Sequence, residues 1–118
     1  MSRSLPRVVF ITLGCRANQA DSSAMMAMLP ERSYQVIDAE GGASAPAGAE
    51  VYVINTCAVT GRSEFQSRQM VRRARRWSPE ALIIAAGCVA EIAPRSLLRA
   101  GADLAVGPGG PSAVTGTR

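Results

Sequence analysis

Val51-Tyr52-Val53-Ile54-Asn55-Thr56-Cys57, VYVINTC, is an apolar, β-branched run that stops at a cysteine. The chain repeats the arrangement in Arg7–Cys15, RVVFITLGC, and in Ala81–Cys88, ALIIAAGC, and these are its only three cysteines. Short, nearly continuous apolar runs of this kind are what strands buried on both faces of a parallel sheet look like. Three buried strands each delivering a thiol to its carboxyl end is therefore the pattern to explain.

Helical signals lie between the strands. Asn18 to Leu29 reads as a helix, with Asn18 as its cap, Asp21 in the first turn and Pro30 as the stop. Ser63 to Trp77 is a second helix closed by Ser78-Pro79, and Glu91 to Ala100 a third closed by Gly101. Further strands are expected at Tyr34–Asp38 and Asp103–Val106, and the Gly-, Pro- and Ala-rich segment 40–50 reads as a loop. Alternation of buried strands with helices predicts an α/β domain, Rossmann-like or flavodoxin-like. Its mostly parallel sheet would be joined by right-handed crossovers and carry helices on both faces. Residues 1–107 form the expected domain, and 108–118, PGGPSAVTGTR, have no periodicity and read as a disordered tail or linker stub.

A chain of 118 residues suits one domain with one core, and at 47% hydrophobic but only 4% aromatic that core must be built from aliphatic side chains. All 13 basic residues are arginine, giving a net charge of +4 that suits a polyanionic partner. No apolar run approaches the roughly 18 residues that span a bilayer, and no small-residue cleavage site follows the amino terminus, so a cytoplasmic protein with no membrane partner is expected. An odd number of cysteines in such a chain argues against a disulfide framework and for metal or redox chemistry.

In an open parallel sheet the carboxyl ends of the strands share one edge, where ligands bind at the point of reversal in strand order. Cys15, Cys57 and Cys88 all belong to that edge, so the topology can bring them together although they are far apart in sequence. Three thiolates roughly 6 Å apart would repel by about 3 kcal/mol per pair at an effective dielectric near 20, so a cationic group should hold them. Thiolates select zinc, copper(I) or iron–sulfur clusters, and the absence of histidine from the chain removes mixed Cys/His zinc sites. A three-cysteine zinc with an outside ligand and a four-iron cluster with one open iron both satisfy this pattern. A single cysteine at a strand end is ordinarily core; three at equivalent positions argue for a shared site. A thiol redox protein is a poorer fit, since there is no C-x-x-C and a disulfide would leave one thiol unexplained.

Three motifs carry a family resemblance: TLGCRANQADS (Thr12–Ser22), INTCAVTGRSEFQSRQMVRRA (Ile54–Ala74) and AAGCVAE (Ala85–Glu91). Together they resemble the amino-terminal domain of radical S-adenosylmethionine methylthiotransferases over residues 7 to 107. The branch most resembled methylthiolates N6-threonylcarbamoyladenosine in tRNA, beside the anticodon. Branches acting on isopentenyladenosine in tRNA or on a ribosomal protein share the cysteine pattern. The resemblance implies that Cys15, Cys57 and Cys88 hold an auxiliary [4Fe-4S] cluster whose open iron carries or accepts the sulfur to be inserted. It further implies a second [4Fe-4S] cluster and S-adenosylmethionine on a following barrel, and a carboxyl-terminal RNA-binding domain. This sequence has no C-x-x-x-C-x-x-C and no room for a barrel. It is expected to be a piece of the enzyme or a stand-alone relic, inactive by itself.

Arg68, Arg72, Arg75 and Arg76 share one face of the Ser63–Trp77 helix and read as a seat for a tRNA backbone, or as a solvated face without a partner. Arg16 and Arg62 flank the cysteines and are candidates to meet a phosphate or the base. Asn55 is expected to hydrogen-bond the loop presenting Cys57, and Met25, Met26 and Met28 to be core or a docking face for the barrel. The rival from another class is a metal-free nucleotide- or RNA-binding module, although both G-x-G-x-x-G and the G-x-x-x-x-G-K-[ST] phosphate loop are missing.

Overall fold

A computed structural model describes residues 5–13, 16–39, 45–57, 63–107 and 114–116. The elements run β1 (Arg7–Thr12), α1 (Arg16–Ala27), β2 (Gln35–Asp38), β3 (Val51–Thr56), α2 (Ser63–Trp77) and β4 (Leu82–Gly87). They continue with α3 (Cys88–Ile92), α4 (Pro94–Ala100), β5 (Leu104–Val106) and β6 (Val114–Gly116). The sheet order is β2-β1-β3-β4-β5-β6. β1 to β5 pair in parallel and β6 joins antiparallel. This is the expected α/β architecture in its flavodoxin-like order, whose reversal lies between β1 and β3.

Alternation along the strands sorts the side chains onto two faces. Val9, Ile11, Tyr52, Ile54, Ile83 and Ala85 meet the helices α2, α3 and α4 through Met70, Val71, Ala74, Val89, Ala90 and Leu97. Val8, Phe10 and Val53 face the other way, where Met25, Met26 and Leu29 pack on them. That second face is covered over only part of its width. An open apolar groove of about 420 Å³ runs from Phe10 and Val53 across Ile84 and Ala86 to Val106. Met25 and Met26 are half-buried, as a core reading expects, while Met28 is 81% exposed at the groove.

Four details differ from the sequence expectations. α1 begins at Arg16, so Asn18 lies inside the helix and is not its cap. The single helix expected over Glu91–Ala100 is two: α3 starts at Cys88, and the chain breaks at Ala93 (φ −134°, ψ 58°) before Pro94 opens α4. Proline is at home in a first helical turn and is excluded from an interior, which is why the break falls there. Within the segment 108–118, expected to be an irregular tail, Val114–Gly116 pair with β5 as an edge strand. Arg75 leaves the expected arginine face, as described below. No helix among the described residues is long and apolar enough to cross a membrane.

Candidate metal centre at the carboxyl edge of the sheet

β1, β3 and β4, the three strands that lead into the cysteines, are consecutive neighbours in the sheet. The register pairs Thr12 with Asn55 and Thr56 with Gly87. Cys57 and Cys88 each follow directly on a paired residue, on strands roughly 4.8 Å apart. Cys57 is 6% exposed, Cys88 is exposed, and both are free thiols. Cys15 and Arg62 lie outside the described residues, and of Arg16 only the backbone position at the start of α1 is described. Among the described residues no three His, Cys, Asp or Glu side chains converge on a common point. Two soft thiol donors following adjacent strands are of the chemistry that iron–sulfur clusters and zinc select, and the third cysteine, Cys15, follows β1 in sequence.

Small side chains hold this edge. Gly87 has φ +97° and ψ −162°, a region open essentially to glycine alone. A Cβ there would stand 2.3 Å from the Thr56 carbonyl oxygen and 2.8 Å from Asn55 Oδ1. Glycine thus lets β4 turn sharply into α3 against the end of β3, with Cys88 as the first residue of that helix. The Thr56 hydroxyl donates to the Ala86 carbonyl at 2.7 Å and accepts from the Val89 N–H at 3.1 Å. It satisfies a free amide of α3 from a neighbouring strand, a task that the side-chain-less cap Gly87 cannot perform. On the opposite face Thr12 Oγ1 donates to Ser22 Oγ at 2.7 Å and Asn55 Nδ2 donates to the same oxygen at 3.0 Å, all three residues being buried. Asn55 therefore ties the end of β3 to α1. The loop it was expected to serve, 58–62, lies outside the described residues.

The arginines of α2 divide into two groups. Arg75 turns inward: its guanidinium donates to the carbonyls of Pro79, Ala81 and Gly101 and, at 2.8 Å, to Asp103 Oδ2. Asp103 Oδ2 also accepts from the Ile83 N–H at 3.0 Å, so Arg75 joins α2 to the starts of β4 and β5. Arg68 pairs with Glu64 one turn earlier, reaches Ser96 of α4 at 3.3 Å and lies over the Phe65 ring. Arg72, Arg73 and Arg76 are exposed and, with Gln69, line a polar surface cleft. Among the described residues none of these three makes an ion pair.

Sequence reasoning passed over Arg73, Thr56 and Gly87. For Gly87 a signal was present, since both TLGC and AAGC place glycine directly before cysteine. For Thr56 there was none, because the partner it caps is 33 residues away.

A parallel sheet in flavodoxin-like order, with Cys57 and Cys88 following the carboxyl ends of β3 and β4, defines an α/β domain of the Rossmann-like class. The match to a known family is direct: the profile described as "Uncharacterized protein family UPF0004" covers residues 7–107, and the chain belongs to that family. The threonylcarbamoyladenosine tRNA methylthiotransferase MtaB of Aquifex aeolicus is 39% identical over 102 residues, which is 86% of this chain and 23% of that protein. MtaB of Bacillus subtilis is 39% identical over 101 residues, 85% of this chain and 21% of the relative. A tRNA-2-methylthio-N(6)-dimethylallyladenosine synthase of Thermotoga petrophila is 37% identical over 100 residues, 81% of this chain and 21% of the relative. The chain spans about a fifth of the length of these relatives, and its homologues are tRNA-modifying methylthiotransferases. No solved structure matches.

Proposed function

We propose that this chain is the auxiliary-cluster domain of a cytoplasmic tRNA methylthiotransferase of the radical S-adenosylmethionine class, with N6-threonylcarbamoyladenosine as the modified base. The observation that carries the reading is the adjacency of β1, β3 and β4, with Cys57 and Cys88 following the paired residues Thr56 and Gly87. Cys15, Cys57 and Cys88 would be the three protein ligands of a [4Fe-4S] cluster. Such a cluster, bound by three thiolates, keeps one iron free of protein and so supplies a site for the sulfur to be inserted. Gly87 and Thr56 fix where Cys88 stands, and the burial of Cys57 shields one thiolate from water. S-adenosylmethionine and a second cluster would belong to a barrel outside this chain, and tRNA to the assembled enzyme, with Arg16, Arg62, Arg68 and Arg72 as candidate contacts. The 37% identity to dimethylallyladenosine synthases supports a second reading, the same chemistry on isopentenyladenosine.

The test is iron and acid-labile sulfide per chain after anaerobic reconstitution, with an electron paramagnetic resonance spectrum of the dithionite-reduced protein. About four of each are expected in the parent, and near-complete loss in Cys15→Ala, Cys57→Ala and Cys88→Ala taken singly. Full iron in any two of these variants would break the shared-site reading.

A further inference from the structure

The outward face of α2 carries an aromatic ring at one end and guanidinium groups at the other. Phe65, Gln69, Arg72, Arg73 and Arg76 fall at i, i+4, i+7, i+8 and i+11, which is one stripe of a helix. All five are exposed, Phe65 by 51%, so that its ring is open to solvent on the same stripe as the guanidinium groups. The opposite stripe, Ser67, Met70, Val71 and Ala74, is buried, so packing fixes the orientation of the outer one. Arg75 clamps the last turn of α2 to Pro79, Ala81, Gly101 and Asp103 and thereby holds Arg72 and Arg76 on a rigid support.

From these placements we propose that the outer face of α2 is a track for single-stranded RNA. One base stacks on Phe65 near the cysteine edge, and the backbone phosphates are taken by Arg72, Arg73 and Arg76, with Gln69 between them as a neutral hydrogen-bonding group. α2 starts at the carboxyl edge after β3 and ends just before β4, so the phosphate seat lies toward the sheet end away from the cysteines. At 1.5 Å per residue, Phe65 and Arg76 are about 16 Å apart along the helix axis, the rise of about five stacked nucleotides. Aromatic platforms combined with a basic groove are how proteins hold single strands without reading sequence. An acidic protein surface would be the rival occupant, but the cleft of Gln69, Arg72, Arg73 and Arg76 is lined by polar side chains only and suits the evenly spaced charges of a phosphodiester backbone. Choosing RNA as the polyanion rests on the function proposed above; the surface itself does not depend on a cluster.

Fluorescence anisotropy of a labelled single-stranded RNA on the full chain, across a salt series, tests the track, with iron content measured on the same samples. Three phosphate contacts predict a slope of log K against log salt near −2 for the parent. Arg72→Gln, Arg73→Gln and Arg76→Gln should each flatten it by about 0.7. Phe65→Ala should weaken binding about tenfold and leave the slope unchanged. Because these residues are exposed, circular dichroism should find every variant folded. Parent-like affinity and slope in the arginine variants would overturn the track, as would polyglutamate competing as well as RNA. Loss of RNA binding in variants with full iron isolates the track from the cluster; a reconstituted parent without iron that still binds RNA would sink the cluster assignment and leave the track standing.

Discussion

The two edges of the parallel sheet are held together by opposite means. At the amino edge long side chains reach across gaps. Arg75 collects three carbonyls and a carboxylate, the Tyr52 hydroxyl donates to the Pro46 carbonyl at 2.6 Å, and the Arg7 guanidinium donates to the Gly48 carbonyl at 2.7 Å. At the carboxyl edge the residues are small, Thr12, Ser22, Asn55, Thr56 and Gly87, and the backbones approach until a single Cβ would not fit. Long arms brace an edge by filling it. Small groups brace an edge by letting backbones close on one another, and Cys57 and Cys88 follow directly on that close approach.

The sharpest way to break this contrast is to put one carbon into the close approach. Gly87→Ala adds a Cβ 2.3 Å from a backbone oxygen and also forces alanine into φ +97°. Strained backbone and overpacking each cost about 1–3 kcal/mol, so a loss of roughly 3 kcal/mol or more is expected in urea denaturation. Reconstituted iron should fall in parallel at temperatures where the variant is folded, because β4 and α3 must separate from β3. A variant unfolding at the parent's urea midpoint would mean that the edges are not differently built.

That close approach also marks the limit of what the sequence made legible. Strand identity and order of elements followed from three β-branched runs and the helical periods between them, because burial on both faces writes itself into composition. The extent of α2, Ser63–Trp77, matched because its amphipathic stripe and the Ser78-Pro79 stop agree. The split at Ala93 was missed because the periodicity of α3 and α4 runs on through it, and only Pro94 signalled the interruption. The arginines were misgrouped for a different reason. Arg75 and Arg76 are neighbours in sequence, and what separates them is the carbonyl cluster at residues 79, 81 and 101, which helical spacing does not encode. For the site, the placement of Cys57 and Cys88 at the carboxyl ends of strands was legible from topology, while the adjacency of β1, β3 and β4 and the Thr56 bond to Val89 needed the folded register.

A middle-sized effect sharpens the other half of the contrast. Arg75→Ala removes the charged hydrogen bonds to Gly101, Pro79, Ala81 and Asp103, the last of them an ion pair. Its side chain is 28% exposed, and with that partial screening about 2 kcal/mol of stability should be lost. Arg75→Lys should recover less than half of this, since one ammonium cannot reproduce a planar fork over several acceptors. Arg72→Ala, on the exposed face of the same helix, should change the unfolding free energy by no more than about 0.5 kcal/mol. Equal losses at the two positions would contradict the division of α2 into a bracing face and an open one.

The smallest expected effect concerns Glu50, at the amino edge beside Arg7. Its carboxylate accepts from the Arg7 backbone N–H at 2.7 Å. That bond, ahead of a second backbone bond and the charge of Arg7, holds its pKa below the usual glutamate value despite slight opposing desolvation. A carboxylate with a depressed folded pKa binds its proton more readily when unfolded, so the folded state is favoured while the group is ionised. The contribution is complete above the unfolded glutamate pKa and disappears as pH falls through the lower folded value. Glu50→Gln should therefore lower the urea midpoint slightly at neutral pH, and the gap should close as pH falls through the carboxylate range. Glu50 is exposed, so the difference will be small beside that of Arg75. A gap that widened toward acid would reverse the sign of the linkage, and with it the claim that even the exposed margin of this edge is braced through Arg7.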